Sequence, residues 1–191
     1  ARNHPQNPDF GTREIPFSRE LYIERNDFME DPPRKFFRLG PGREVRLRYG
    51  YYITCTSYEK DEEGNVTVLH CSYDPETRRG TSPDGRKVKG TIHWVSAAHA
   101  VDSDVYLYDR LFNVEKPDGD KGTDFTTHLN PDSRKILTNC KLEPSCNEIE
   151  PGTQVQFERQ GYFSLDSKLS TPGKPVFNRV VTLRDSWARG K

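Results

Sequence analysis

Two arginines in the segment "GREVRLRYG" are the first side chains of this sequence with the type and spacing to bind a ligand. Alternation along a β-strand predicts that three residues face a core: Val45, Leu47 and Tyr49. Arg46 and Arg48 then lie on the opposite face beside Glu44, about 7 Å apart. Guanidinium groups bind phosphates and base edges through paired donors and stack on exposed bases. The alternative is a solvated strand face on which Glu44 is the partner, and this strand alone leaves both open.

A second candidate lies in "QVQFERQGYF", where Val155 and Phe157 alternate with Gln156. Strict alternation would bury Arg159, which is costly for an unpaired charge. Either the strand ends at Glu158, or a bulge in "RQG" turns Arg159 outward. A bulge that brings Gln156 and Arg159 together would create a donor and acceptor pair for a base edge, and an ordinary strand end would not.

The sequence contains no motif typical of an enzyme active site. There is no GxSxG, HExxH, Walker loop or GxGxxG after a strand. Even if His93 and His99 lay on one strand face, they would stand about 20 Å apart, so we expect no metal site. The abundant carboxylates fall in turn-like segments. Taken alone, the chain does not resemble a catalyst.

Composition indicates a folded protein with a charged surface and no bias toward polyanions. Hydrophobic residues make up 32%, charged residues 30% and aromatic residues 11% of 191, and 29 basic residues balance 29 acidic ones. Binding to nucleic acid would therefore depend on how charge is distributed over faces. No apolar run has the length of a membrane span. We expect the four cysteines, none in a CxxC pair, to be reduced thiols.

Short β-branched and aromatic segments separated by turns predict an all-β fold. The clearest hairpin joins "YYITCTSYEK" to "NVTVLHCSYD" through "DEEG". Residues 1–14 are predicted to be an extended arm. A helical turn is expected in "NDFMEDPP", capped by Asn26 or Asp27, and another in "FTTHLNPDS". Small residues from Ala97 to Ser103 separate two strand-rich halves, so two small β-barrels are predicted.

Five longer segments together resemble one protein family. They are "GREVRLRYGYYITC", "YDPETRRGTSPDGRKVKGTIHWVSAAHA", "VYLYDRLF", "QFERQGYFSLDSK" and "KPVFNRVVTLRDSWA". In this order they resemble the C-terminal anticodon-binding region of glutaminyl-tRNA synthetases, particularly the bacterial type. The resemblance extends from about Asn3 to Lys191.

The resemblance implies two β-barrels related by duplication, with only short helical turns. The expected first, proximal barrel spans 15–98, the second, distal barrel spans 99–175, and the C-terminal strands in 176–191 return to the first barrel. The 1–14 arm would lead from the catalytic part of a longer enzyme. HIGH, KMSKS and a Rossmann domain are absent from this sequence, which also lacks an initiator Met. The chain is therefore expected to be an inactive anticodon-binding fragment of a cytoplasmic, monomeric glutamine–tRNA ligase.

The resemblance also assigns roles to individual residues. It implies that Arg38 reads the third anticodon letter, a guanine, and that Arg46 and Arg48 line the pocket of the first letter. Gln156 and Arg159 would hold the middle letter, a uracil. The expected partners are the anticodon loop of tRNA(Gln) and a catalytic domain of the same polypeptide. ATP and Mg are expected on that catalytic domain, with no cofactor or metal in this chain.

Phe37 departs from the family pattern, because some relatives carry a Lys before the arginine. Phe37 is predicted either to stack on a base or to pack under the loop. The family also completes the middle-letter pocket with residues upstream of this sequence, so weak tRNA binding is expected of the chain alone.

Three alternative functions stay open. The first is the anticodon-binding barrels of an archaeal or eukaryotic glutamyl-tRNA synthetase, and the second is a ribosomal-protein-like RNA-binding barrel. The third is a carbohydrate-binding or protein-interaction module that uses exposed tyrosines. Binding of RNA through arginines should weaken as salt rises, whereas binding of glycans should not.

Overall fold

The computed structural model of the chain describes residues 1–119 and 122–183, which form eleven β-strands. The strands are Leu21–Ile23 (β1), Glu44–Leu47 (β2), Tyr52–Lys60 (β3), Val66–Asp74 (β4), Thr91–Ile92 (β5), Trp94–Ser96 (β6), Val101–Tyr108 (β7), Arg134–Leu142 (β8), Gln154–Phe157 (β9), Gly161–Leu165 (β10) and Val176–Val181 (β11). The helical segments are 3-10 turns at Pro8–Phe10, Arg25–Asp27, Pro75–Gly80, Phe125–His128 and Pro144–Glu148. The longest of these has six residues, so over these ranges the predicted all-β class with only short helical turns is confirmed.

The chain divides into two compact units, Ala1–His99 and a second unit that begins at Ala100. The first unit contains a four-stranded sheet in the order β4-β3-β2-β5 and a separate β1-β6 pair. Strands β3 and β4 form the predicted antiparallel hairpin, and the Asp61 carboxylate accepts backbone N–H bonds from Glu63 and Asn65 in its turn. Strand β5 runs parallel to β2 on the other side.

The core of the first unit confirms part of the predicted alternation. Val45 and Leu47 are buried, as expected. The prediction for Tyr49 is wrong, because β2 ends at Leu47, where the N–H of Gly50 donates to the Leu47 carbonyl at 2.9 Å and closes a tight turn. Tyr49 lies in this turn with φ 61° and is half-buried.

The first fourteen residues do not form the predicted extended arm. They fold back on themselves through a bridge between Arg2 and Thr12, and the amino group of Ala1 donates to the Arg13 carbonyl at 2.7 Å. The 3-10 turn Pro8–Phe10 reverses the chain, with Asn7 capping it. Proline and a capping residue therefore close a loop where the sequence suggested a linker.

A 3-10 turn is present in this part of the chain, but it lies at Arg25–Asp27, so the prediction of a turn that follows a cap at Asn26 or Asp27 is wrong. Arg25–Asp27 is preceded by Glu24, which makes no side-chain capping bond. Asp27 belongs to the turn itself and is completely buried. The predicted turn at Phe125–His128 is also present, with the Asp124 carboxylate capping it.

The second unit is built on one five-stranded sheet in the order β8-β7-β11-β10-β9. Strand β11 runs parallel to β7 and antiparallel to β10. The expectation that the chain returns to the first barrel from residue 176 is therefore wrong for this strand. The physical reason is burial, because Phe177 is fully buried in a core that includes Phe163 and Val105. Residues 184–191 lie outside the described residues.

The four-stranded sheet and the five-stranded sheet each have two edge strands. Over residues 1–119 and 122–183 the pairing ends at β4 and β5 in the first unit and at β8 and β9 in the second. An all-β chain with two sheet units is what the structure contains. Closure of each unit into a barrel, and an origin by duplication, stay predictions.

Candidate nucleic-acid interface

Arg46 projects from β2 and is half-buried against the segment that follows β4. Its Nε and Nη2 atoms donate to Oγ1 of Thr91 at 3.1 and 2.9 Å. Its Nη1 atom donates to the carbonyl of Gly80 at 3.5 Å. The guanidinium is therefore held by two neutral acceptors, the Thr91 hydroxyl and the Gly80 carbonyl.

Glu44 is not the partner that strand alternation suggested for the two arginines. Its carboxylate accepts a bidentate pair from Arg86, Nε at 3.1 Å and Nη2 at 3.0 Å. Arg86 also pairs with Asp74 at 2.5 Å and with Asp84 at 2.7 Å, and its guanidinium lies 5.2 Å from the ring centroid of Tyr52. This network fastens the basic loop between β4 and β5, residues 75–90, to the sheet and leaves Arg46 without the predicted acidic neighbour.

The charges of this network perturb one another. The Ser82 hydroxyl, then the N–H and guanidinium of Arg86, lower the pKa of Asp84 to about 2. Arg86 also lowers the pKa of Asp74. Hydrogen bonds from Arg86 to Glu44, Asp74 and Asp84 raise the pKa of the guanidinium. Asp74 and Asp84 are therefore ionised at neutral pH and pair with Arg86.

Arg48 lies beyond the end of β2, in the turn that contains Tyr49. Its guanidinium carbon is 4.8 Å from the centroid of the Tyr49 ring, and Nη2 donates to the Tyr49 hydroxyl at 3.4 Å. Arg13 approaches the same ring at 5.9 Å. Because the strand stops at Leu47, Arg48 is held by aromatic packing while Arg46 is held by a sheet neighbour.

Arg38 is braced from behind by the 3-10 turn Arg25–Asp27. Its Nη1 atom lies 3.1 Å from Oδ1 of Asp27 and donates to the carbonyl of Asn26 at 3.0 Å. The Arg38 side chain is 38% exposed, whereas that of Asp27 has no exposed surface. Nη1 is thus used internally, and Nε and Nη2 are the edge of the guanidinium that can face a ligand.

Phe37 has an exposed aromatic ring that lies near a lysine ammonium group. It is 52% exposed, and the Lys89 ammonium lies 5.5 Å from its ring centroid. Phe37, Arg38, Lys89 and Gly90 contribute to a depression of about 210 Å³. Packing under the loop, one of the two predicted roles, does not describe a ring with this exposure.

Gln156 faces outward from β9, as alternation predicted. Val155 and Phe157 pack against the core of the second unit, while Gln156 is exposed. Its cross-strand partner on β10 is Tyr162, which is 43% exposed. Directly opposite side chains on one face of a sheet lie within contact distance. An amide and an aromatic ring are therefore neighbours on this surface.

Arg159 lies in the turn between β9 and β10. The strand ends at Phe157, the N–H of Gln160 donates to the Phe157 carbonyl at 3.0 Å, and Gly161 resumes pairing opposite Phe157. Arg159 itself has φ 67° and is exposed. The left-handed conformation is uncommon outside glycine. A strand end followed by a tight turn therefore directs Arg159 outward, and no bulge within the strand is required.

The structure groups the predicted site residues by unit. Arg38, Phe37, Arg46 and Arg48 belong to the first unit, where Gly90 lies between two of them: its carbonyl accepts the Arg46 N–H at 2.9 Å and it also lines the depression beside Arg38. Gln156 and Arg159 belong to the second unit, three residues apart at one hairpin.

Sequence reasoning missed four residues at these surfaces. Thr91 and Gly80 hold Arg46, Lys89 approaches Phe37, and Tyr162 neighbours Gln156. Lys89 and Gly80 lie in the loop between β4 and β5, and no local pattern in the sequence marked their partners. For Thr91 and Tyr162 the signal would have been the strand register, which depends on pairing between distant segments.

The described residues contain no group of three or more histidine, cysteine or acidic side chains placed to hold a metal ion. No helix formed by those residues is long and apolar enough to cross a membrane.

Models of known protein families match two ranges of the chain, and these ranges contain the candidate site residues. Two family models described as "tRNA synthetases class I (E and Q), anti-codon binding domain" match residues 1–74 and 91–166. The chain belongs to this family of anticodon-binding domains. The first model covers all four predicted residues of the first unit, and the second covers the hairpin of Gln156 and Arg159.

Glutamine–tRNA ligases are among the most similar curated relatives of this anticodon-binding chain. The enzyme of Nitrobacter winogradskyi is 56% identical over 189 residues, which cover 99% of this chain and 33% of the relative. That of Cupriavidus taiwanensis is 56% identical over 97% of the chain and 32% of the relative, and that of Pseudomonas syringae pv. tomato is 54% identical over 96% and 32%. The chain spans about a third of the length of these relatives, and the glutaminyl-type resemblance is confirmed.

Proposed function

We propose that the chain binds the anticodon loop of tRNA(Gln) and reads its three unstacked bases with the side chains described above. Arg46 and Arg48 contact the first letter, Gln156 and Arg159 the middle uracil, and Arg38 the third-letter guanine. The observation that carries the proposal is the family match, because the two matched ranges include all five residues.

The geometry of the arginines supports recognition rather than solvation. Arg46 and Arg38 are each held by internal acceptors and present a remaining edge of N–H donors. A guanidinium held in one orientation loses little freedom on binding, and its planar donors match base edges and phosphates. Arg to guanine O6 and N7 is the commonest specific pairing with a base.

Exposed rings near these donors support stacking of the splayed bases. Phe37 adjoins Arg38 in the sequence, and Tyr162 neighbours Gln156 across two strands. Single-stranded RNA is commonly recognised by stacking on aromatic side chains together with hydrogen bonds to the Watson–Crick edge. We assign Phe37 to stacking beside the third letter, where Lys89 would meet a phosphate.

In the longer enzyme, the anticodon-binding units would act on the attachment of glutamine to tRNA. We assign ATP and Mg to a catalytic domain in the same polypeptide, and the chemistry to that domain. Recognition of the anticodon would then favour the active conformation of a distant site, which is a coupling between two binding events. We propose that this longer enzyme is cytoplasmic and monomeric.

The third letter separates this proposal from a glutamate-specific relative. We would titrate the chain with anticodon stem-loops carrying CUG and CUC, at about 50 and 200 mM salt. The proposal is supported if the chain binds CUG more tightly than CUC and if this binding weakens as salt rises. Arg38→Lys should remove the preference for CUG over CUC. Equal affinity for both loops, or a preference for CUC, would overturn it. Arg25→Lys, which changes an arginine of the adjacent turn, is the matched control.

A further inference from the structure

Three of the five N–H donors of Arg46 are already used by the protein. Nε and one N–H of Nη2 point to the Thr91 hydroxyl, and one N–H of Nη1 points to the Gly80 carbonyl. A guanidinium has five donors in a fixed planar fork. Within the described residues, one donor on each Nη atom is therefore left, side by side at the outer end of the group.

The sheet fixes the position of Thr91 opposite Arg46. Thr91 lies opposite Arg46 in the parallel pairing of β5 with β2, one residue before the Leu47–Ile92 pair. Leu47 and Ile92 have no exposed surface, and the Arg46 N–H donates to the Gly90 carbonyl at 2.9 Å. The backbone of Thr91 therefore cannot shift without disturbing a buried register.

Gly80 lies against the Arg46 side chain and accepts a hydrogen bond from it. Its φ of +75° favours glycine, and a Cβ there would lie 2.4 Å from Cδ of Arg46. Its carbonyl also accepts a hydrogen bond from the buried Tyr52 hydroxyl at 3.2 Å. The Tyr52 N–H in turn donates to the fully buried Thr77 hydroxyl at 2.8 Å. The loop is thus fastened on the side where it receives the arginine.

We infer that Thr91 is a positioning residue that sets the specificity of Arg46, with Gly80 providing the space and the second acceptor. This inference rests on the proposed contact between Arg46 and the first anticodon letter. Two parallel donors match a base edge with two adjacent acceptors. Cytosine offers O2 and N3 in this way, whereas adenine places a donor next to its acceptor. Thr91 therefore makes Arg46 selective for cytosine over adenine before RNA arrives.

The test measures affinity ratios of the chain rather than affinity alone. Stem-loops carrying CUG, AUG and CCG are titrated against the wild type, Thr91→Val and Thr91→Ser. Valine keeps the shape of threonine and removes the hydroxyl, and serine retains the hydroxyl. We expect Thr91→Val to reduce the CUG-to-AUG affinity ratio by about three- to tenfold, since Arg46 regains rotational freedom. The CUG-to-CCG ratio should not change, and Thr91→Ser should behave as wild type.

The outcomes distinguish a failure of this inference from a failure of the proposed function on which it rests. If the wild type does not distinguish CUG from AUG, the proposed reading of the first letter by Arg46 is wrong. If the wild type prefers CUG and Thr91→Val keeps that preference, the first-letter proposal stands and the positioning role of Thr91 is wrong. An equal fall of both ratios would also reject positioning, because it indicates general destabilisation. Thr67→Val, an exposed strand threonine of the same unit, is the matched control and should change neither ratio.

Discussion

Nη1 of Arg38 lies 3.1 Å from Oδ1 of Asp27, a carboxylate without exposed surface in a 3-10 turn eleven residues earlier in the chain. The side chain assigned to the third letter is therefore also a structural element of the first unit. Loss of charge at either residue should affect both stability and recognition.

Replacing Asp27 with Asn keeps the size of the side chain and removes its charge. We expect the free energy of unfolding to fall by about 1–2 kcal/mol, since hydrogen bonds to charged groups are the stronger ones and partial exposure of Arg38 reduces the effect. Urea denaturation of both proteins measures the change. Asp31→Asn, an exposed carboxylate in the same segment, should leave the midpoint unchanged. An unchanged midpoint for Asp27→Asn would mean that the pair adds nothing.

The Arg86 network predicts that acid destabilises the first unit. The folded pKa of Asp84, about 2, is below its ordinary value of 3.8, so its stabilising contribution is complete above about pH 4 and is lost as pH falls toward 2. The lowered pKa of Asp74 acts in the same direction. Thermal unfolding midpoints should therefore decline over this window in the wild type.

Arg86→Gln removes the shared cation of that network. We expect a lower midpoint at pH 7 and a shallower decline between about pH 4 and 2, because the carboxylates no longer gain a partner on folding. Arg78→Gln removes an exposed arginine of the same loop and should retain the wild-type pH profile. A profile of Arg86→Gln that parallels the wild type would contradict the account.

Cys55 and Cys71 are directly opposite each other on β3 and β4, and both are free thiols. Although Cys71 is exposed as a residue, desolvation of its sulfur, and then the neighbouring Cys55 thiol, raise the pKa of Cys71 to about 12. At pH 8 its alkylation by iodoacetamide should be slower than that of a free thiol by roughly three orders of magnitude. Mass spectrometry of labelled peptides gives the rate, with the urea-unfolded chain as control. Reaction of folded Cys71 within tenfold of the unfolded rate would refute the prediction.

Substitution of Phe177 tests whether β11 belongs to the second unit. Phe177→Ala should destabilise the second unit by about 3–5 kcal/mol, since it empties a fully buried position. Hydrogen exchange should increase in peptides of β7 and β10 and stay unchanged in β2 and β3. Val180→Ala, at a 59% exposed position on the same strand, serves as control. Increased exchange in β2 and β3 with β7 unaffected would favour a return of this strand to the first unit.

Local pattern predicted those features whose cause is local. Alternation placed Val45 and Leu47 in the core and Gln156 outside, and the β3–β4 hairpin followed from its flanking residues and turn. For the outward Arg159, a strand end and a bulge were the two open explanations, and a strand that ends at Phe157 before a turn with Arg159 at positive φ favours the first. Local sequence sufficed because each outcome depends on a few neighbouring residues.

Contacts between distant segments could not be predicted in the same way. Thr91 meets Arg46 across 45 residues, and Arg86 meets Glu44 across 42. The capture of Glu44 by Arg86 overturned the expected partner of Arg46. Likewise, β11 joined the second sheet because Phe177 fills its core, a choice that no pattern within the strand encodes. The identity of the recognition surface came from family resemblance, since paired arginines alone also fit a solvated face.

The most direct test concerns the middle letter. The chain would be titrated with stem-loops carrying CUG and CCG, using the wild type, Arg159→Ala and Gln156→Ala. Arg134→Ala, an exposed arginine on β8 at the opposite edge of the same sheet, is the matched control. We predict that wild type and Arg134→Ala bind CUG about tenfold more tightly than CCG, and that Arg159→Ala and Gln156→Ala lose this preference. Equal wild-type affinity for the two loops, or an undiminished preference in Arg159→Ala, would contradict the account.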